Sequence, residues 1–430
     1  MKKRQVYSTL LLCAVIALGS CSSGESAAEA APSVEGGATD GAFGFAGDYS
    51  ADSSDSAAAD YSEDFSYSEE FEKAETSDEF YDIETEMPKG DQYIKPHSGM
   101  LTGGEWNDND NFGFWTDLVS QRSEWSQMAE RWNFHTTDRI AVNVKNGSEP
   151  AANVSLKLMS GTTVLWEAVT DNNGNAYLFT TLDADNQYMP TRIVAERGGK
   201  GLTEIEYDGS KEVELNVQAE KYGGDILDLM FVVDTTGSMD DELAYLQVEL
   251  QDIIKRVSDE KQIPVRLSVN FYRDTSDEYV VKPYDFTPDT DEAIQFLSQQ
   301  YASGGGDYEE AVETALEQAI NGSTWQEGNT KLMFLILDAP PHYNDNNVEH
   351  LRNLMEQAAK NGIRIIPVAS SGVDVETEFL CRSFALATGG TYTFLTDHSG
   401  VGNSHLEPTV GSYEVEKLND MIVRIIESYL

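Results

Sequence analysis

Residues 224–430 predict an α/β doubly wound sheet of Rossmann-like type, preceded by a small all-β sandwich over 138–219 and by a disordered acidic linker. The first reason is that continuous apolar runs in 224–430 alternate with segments whose apolar residues recur every three or four positions, the pattern of buried parallel strands wound by amphipathic helices. The second is that 138–219 switches to short runs of period two, separated by Asn146-Gly147, Asn173-Gly174 and Asp208-Gly209 turns. The third is the charge: 75 Asp and Glu against 29 Lys and Arg give −46 over 430 residues. So negative a surface repels phosphate backbones, so no nucleic-acid partner is expected.

At the amino end, Lys2, Lys3 and Arg4 precede an apolar run over 10–17 that is shorter than the roughly 20 residues of a spanning helix. Residues 1–20 therefore predict an export signal. Its end, Leu18-Gly19-Ser20-Cys21, resembles the lipobox of bacterial lipoproteins. That resemblance implies lipidation of Cys21, palmitate included, and a mature chain held on a membrane by acyl chains worth about 0.8 kcal/mol per buried methylene. Ser22, where Asp would signal inner-membrane retention, resembles outer-membrane sorting. An ordinary cleaved signal with an incidental Cys21 is the alternative. Cys13 leaves with the signal, and Cys381 is then expected to be a small buried apolar residue.

Residues 21–90 are rich in Ser, Ala, Gly, Asp and Glu, a composition that buries too little apolar area to offset ordering entropy. They read as a linker giving reach from the membrane, with a partner-docking segment built on their interspersed aromatics as the other reading. Residues 91–137 read as a helical docking segment. Its Asn/Asp run, 107–111, departs from the acidic ligand spacing of a calcium loop and reads as a helix cap. One helix over 112–132 carries Trp115, Leu118, Val119, Trp125, Met128 and Trp132 as an apolar stripe needing a neighbour to cover it.

Strands are predicted at 140–144, 154–158, 164–169, 176–180, 191–195, 202–207 and 213–217. This unit resembles the carboxypeptidase-regulatory-like or immunoglobulin-like modules of bacterial surface proteins. In the final half, strands are predicted at 226–233, 264–272, 331–337, 363–368 and 391–395, and helices follow Asp240 and over 309–320, 348–361, 376–387 and 414–430. Ligands of such sheets bind beyond the carboxyl ends of the strands.

Asp234-Thr235-Thr236-Gly237-Ser238 stands at the first strand end, offering a carboxylate and hydroxyls on a tight turn suited to Mg²⁺. Ser303-Gly304-Gly305-Gly306-Asp307 precedes a later helix, and Leu337-Asp338-Ala339-Pro340-Pro341-His342 ends a third strand. Together these loops resemble the von Willebrand factor type A (vWA) family and its metal-ion-dependent adhesion site. The resemblance implies Thr236 and Ser238 as hydroxyl ligands, and Asp234 and Asp338 as carboxylates binding directly or through water. Where many members carry a Thr ligand after the paired glycines, this chain has Gly306, and the following Asp307 either supplies an oxygen or leaves that place to water. The implied ion is Mg²⁺, with Mn²⁺ or Ca²⁺ as alternatives, and the implied partner is a protein inserting an acidic side chain into an open coordination place. A bacterial envelope protein on the outer membrane, binding rather than catalysing, is the resulting expectation. His342 and the polar stretch 396–405 raise a hydrolase reading, but no nucleophile elbow or zinc-binding histidine pair accompanies them. An architectural protein working through the β-module is the third reading.

Overall fold

The computed structural model describes residues 95–183, 188–220, 222–260 and 263–430. The expected export signal over 1–20, Cys21 and the expected linker over 21–90 lie outside the described residues. The first strand, β1 (Thr102–Trp106), was not foreshadowed by the sequence pattern. It needs Gly103 and Gly104 because a Cβ on either would stand 2.8 Å from the Phe394 carbonyl or 2.6 Å from the Phe394 ring. The single helix expected over 112–132 is instead two, α1 (Phe112–Gln121) and α2 (Ser123–Arg131), broken where Arg122 adopts an extended conformation. A continuous helix would separate Trp115 and Trp125 by about 15 Å along its axis. The break lets their rings approach to 5.9 Å and lets both pack on Phe379 at 6.0 Å.

The next stretch contains β2 (Arg139–Asn146), β3 (Glu149–Pro150), β4 (Ser155–Ser160), β5 (Thr163–Val169), β6 (Asn175–Phe179), β7 (Arg192–Arg197), β8 (Lys200–Glu206) and β9 (Glu212–Asn216). They form two four-stranded sheets, one of β2, β3, β6 and β9 and the other ordered β5-β4-β7-β8. Their buried alternate residues share one core, in which Trp166 of β5 meets Phe179 of β6 at 5.0 Å. The expected all-antiparallel arrangement is broken once, because β9 pairs β2 in parallel.

The large sheet follows with β10 (Leu227–Asp234), α3 (Leu243–Glu260), β11 (Val265–Tyr272), β12 (Val281–Lys282), α4 (Thr290–Ser298), α5 (Val312–Asn321), β13 (Thr330–Leu337), α6 (Asp345–Asn361), β14 (Ile363–Ala369), α7 (Val375–Thr388), β15 (Tyr392–Leu395), β16 (Glu416–Lys417) and α8 (Leu418–Ser428). The strand order is β12-β11-β10-β13-β14-β15-β1-β16. The five central strands run parallel; β12 pairs antiparallel with β11 at one edge, and at the other β1 pairs antiparallel with both β15 and β16. Alternate residues of β10 serve opposite faces: Leu229, Phe231 and Val233 pack with α3, α4 and α8, and Met230 and Val232 with α5, α6 and α7. Every residue of β10 is buried, as a strand covered on both sides requires.

The amino-terminal segment is tied down by a charge. Arg382 of α7, fully buried, donates to Asp108 at 2.6 and 2.8 Å and to Glu378 at 3.2 Å, with Trp115 and Trp125 about its guanidinium. The small β-sheets contact the opposite end of the large sheet from its strand carboxyl termini. There Asn172 donates to Thr330 at the start of β13, and Arg364 at the start of β14 donates to the Val169 carbonyl.

Candidate metal centre

The chain leaves β10 toward β11 on one side and later returns as β13 on the other, so the carboxyl ends of β10 and β13 border a crevice. Asp234 is the last residue of β10 and Asp338 the first after β13. The Thr236 amide and hydroxyl both donate to Asp234 Oδ1, at 2.8 and 2.7 Å, while Asp234 Oδ2 has no partner. The Thr236 hydroxyl lies 3.2 Å from that of Ser238, which faces solvent on a single turn of 3-10 helix leading into α3. Asp338 is 2% exposed, and its Oδ1 is likewise without a partner.

Glu310, which the sequence pattern did not single out, lies near this set. Its amide donates to the Pro340 carbonyl at 2.9 Å, which pins it beside the loop carrying Asp338. It is 2% exposed and its Oε2 has no partner. Burial raises its carboxyl to about 9, helped by the charges of Asp234, Asp274, Asp338 and Asp277. Burial likewise raises Asp338 to about 8, with Asp234 as the next cause. It lifts Asp234 to about 6 against the opposing hydrogen bonds from Thr236. Placing several desolvated carboxyls together is unfavourable unless protons or a cation neutralise them.

The triple glycine makes this approach sterically feasible. Gly304 and Gly305 have φ of +84° and +74°, and a Cβ on Gly304 would stand 2.2 Å from the Asp277 carboxylate. On Gly305 it would stand 3.0 Å from Glu310 Oε1. Asp277 Oδ2 accepts from the Gly305 and Asp274 amides at 2.9 and 3.0 Å, joining the loop after β11 to the glycine loop.

The residues present fit a hard divalent cation. Asp234 Oδ2 and Asp338 Oδ1 are buried oxygens without hydrogen bonds, the Thr236 hydroxyl donates to Asp234 and stands beside that of Ser238, and Glu310 adds a further buried carboxyl nearby. Of the five metal residues expected from sequence, Asp234, Thr236, Ser238 and Asp338 gather at this crevice. Asp307 is brought to a neighbouring group, where His342 Nε2 stands 3.7 Å from Asp307 Oδ1 and 3.4 Å from Asp274 Oδ1. The acidic loop after β11, Arg273-Asp274-Thr275-Ser276-Asp277, was the available signal for Asp274 and Asp277, since it too follows a parallel strand.

Two other sequence candidates find structural places. Cys381 is fully buried, and burial holds its thiol far above the ordinary value. His405 bridges two carboxylates, with Nδ1 2.8 Å from Asp397 and Nε2 2.7 Å from the buried Glu242. Burial alone would lower its pKa, but these partners together raise it.

Residues 228–400 match the family model described as von Willebrand factor A domain. A protein of Acanthamoeba polyphaga mimivirus named as an ariadne-like RING finger protein is 32% identical over 121 residues, 28% of this chain and 12% of that protein. The alpha-protein kinase vwkA of Dictyostelium discoideum is 24% identical over 227 residues, 51% of this chain and 35% of the kinase. The chain thus spans about a third or less of these relatives' lengths. Among solved structures, BatB from Bacteroides thetaiotaomicron is 16% identical with a TM-score of 0.33, covering 47% of this chain and 98% of its own. An aerotolerance-related membrane protein from Bacteroides fragilis is 14% identical with a TM-score of 0.31 and the same coverages. Sequence match, strand order and the three loops at the switch point agree: residues 228–400 form a von Willebrand factor A domain.

Proposed function

We propose that this chain is an envelope protein, anchored through lipid on Cys21, that binds an acidic group of a protein partner through Mg²⁺ at a metal-ion-dependent adhesion site. The observation that carries the reading is the pair of buried carboxylate oxygens of Asp234 and Asp338 left without hydrogen bonds at adjacent strand ends, with the Thr236 hydroxyl on Asp234 and that of Ser238 beside it. Mg²⁺ bound there supplies net positive charge and an exchangeable place for a carboxylate from outside. Asp234 and Thr236 hold the inner end of the site rigidly through their mutual hydrogen bonds, and exposed Ser238 marks its solvent side. The small β-sheets contact the far end of the large sheet, away from the strand carboxyl ends. For the anchor, the support is the sequence from Lys2 to Cys21; among the described residues no helix is long and apolar enough to cross a membrane.

The test is capture from bacterial envelope extract by the immobilised chain in Mg²⁺, in EDTA, and with Asp234→Ala or Ser238→Ala. A protein retained in Mg²⁺ and lost in the other three conditions is the expected result, with His342→Ala and Cys381→Ala still retaining it. Retention by Asp234→Ala with unchanged EDTA sensitivity would remove the site from the binding mechanism.

A further inference from the structure

We propose that Asp274, Asp307 and His342 form a second cation site, selective for Zn²⁺ over Mg²⁺ and separate from the one at Asp234 and Asp338. Three loops converge to build it: Asp274 follows β11, Asp307 ends the glycine loop, and His342 follows β13. One ligand atom from each lies within 4.8 Å of the other two. Asp274 is 4% exposed, yet its Oδ1 makes no hydrogen bond and faces His342 Nε2 at 3.4 Å. A buried carboxylate oxygen with no donor is costly to leave unpaired, and an ion beside it removes that cost.

Spacing and donor type decide which ion. Ligands about 2.0–2.1 Å from a tetrahedral Zn²⁺ stand about 3.3–3.4 Å apart, whereas adjacent ligands of octahedral Mg²⁺ stand about 2.9–3.0 Å apart. The distances from His342 Nε2, 3.4 and 3.7 Å, match the tetrahedral edge after a few tenths of an ångström of closing. Ca²⁺ tolerates wider spacing but takes oxygen donors, and imidazole is a Zn²⁺ ligand. Two carboxylates neutralise the dication, and the half-open setting leaves a fourth place to water, since the side chains of His342 and Asp307 are 27% and 63% exposed. His342 Nδ1 is itself buried and makes no hydrogen bond.

The test is titration of the metal-stripped full chain with Co²⁺, the spectroscopic stand-in for Zn²⁺, in millimolar Mg²⁺. The expected result is one equivalent bound with the visible absorption of tetrahedral Co²⁺ and displaced by Zn²⁺. Its affinity should fall more than about 100-fold in His342→Ala and in the isosteric Asp274→Asn, beyond the loss typical of an outer-shell group, and hold in Asp234→Ala. Asp307→Ala, at a side chain 63% exposed, should weaken it similarly. Absence of binding, insensitivity to His342→Ala and Asp307→Ala, or loss on Asp234→Ala or by Mg²⁺ competition would overturn the proposal. Since Asp234→Ala disables only the Mg²⁺ site, failure of one site is distinguishable from failure of the other.

Discussion

Metal-free protein should lose stability as pH rises, and Mg²⁺ should restore it only at the upper end. Asp234, Asp338 and Glu310 carry folded-state values of about 6, 8 and 9, all above the ordinary carboxyl range. The folded chain therefore holds protons that the unfolded chain releases, and stability falls from about pH 4 up through these values. One retained proton changes stability by about 1.4 kcal/mol per pH unit, hence about 3 kcal/mol between pH 5 and 7.5. Pro88–Leu430 form one compact unit, whose unfolding entropy is about 0.7 kcal/mol per kelvin at typical per-residue values. The midpoint in EDTA should then drop by about 5 °C per retained proton across that interval. A cation competes with the protons for the same oxygens. At a hundredfold excess over Kd it contributes about 2.7 kcal/mol, or about 4 °C, at pH 7.5, and much less at pH 5. Thermal unfolding followed by circular dichroism, in EDTA and in Mg²⁺ at both pH values, measures all four midpoints. A Mg²⁺ effect of equal size at pH 5 and 7.5, or an EDTA midpoint indifferent to pH, would refute the reasoning.

Calorimetric titration should show that Glu310→Gln weakens Mg²⁺ binding more than Asp307→Ala does, because Glu310 is the buried carboxyl beside Asp234 and Asp338. Arg382→Met should cost about 3–5 kcal/mol in urea denaturation, since it strands Asp108 and Glu378 without their buried partner. His405, raised by Glu242 and Asp397 despite burial, contributes fully below about pH 6.5 and loses that contribution as pH rises through its elevated value. His405→Gln should accordingly cost about 2 kcal/mol at pH 6 and clearly less at pH 8.5 in the same denaturation assay. Cys21→Ser should move the chain from the membrane to the soluble fraction on cell fractionation, and a variant still processed and pelleted with membranes would exclude lipid anchoring through that residue.

The break between α1 and α2 illustrates what periodicity does not convey. Trp115, Trp125 and Trp132 announce an apolar face, but the bend at Arg122 exists because two of those rings meet on Phe379, more than 250 residues away. Likewise β1 has only two glycines to mark it, and its strand state depends on pairing with β15 and β16. The parallel strands of the large sheet were legible because burial on both faces forces nearly continuous apolar runs, a local requirement. The capping carboxylates after β10 and β13 were legible for a related reason: strand ends in such sheets are where polar residues converge.

By itself the sequence determined the doubly wound order of strands and helices and the positions of Asp234, Thr236, Ser238 and Asp338, because alternation of burial and strand-end turns are short-range patterns. Only the tertiary structure decided that Glu310 joins that group while Asp307 turns toward Asp274 and His342. Those side chains come from loops after different strands, brought together by sheet order and by the glycine loop's left-handed conformation. Which oxygens are left desolvated and partnerless is thus a property of packing, with no periodic signature along the chain.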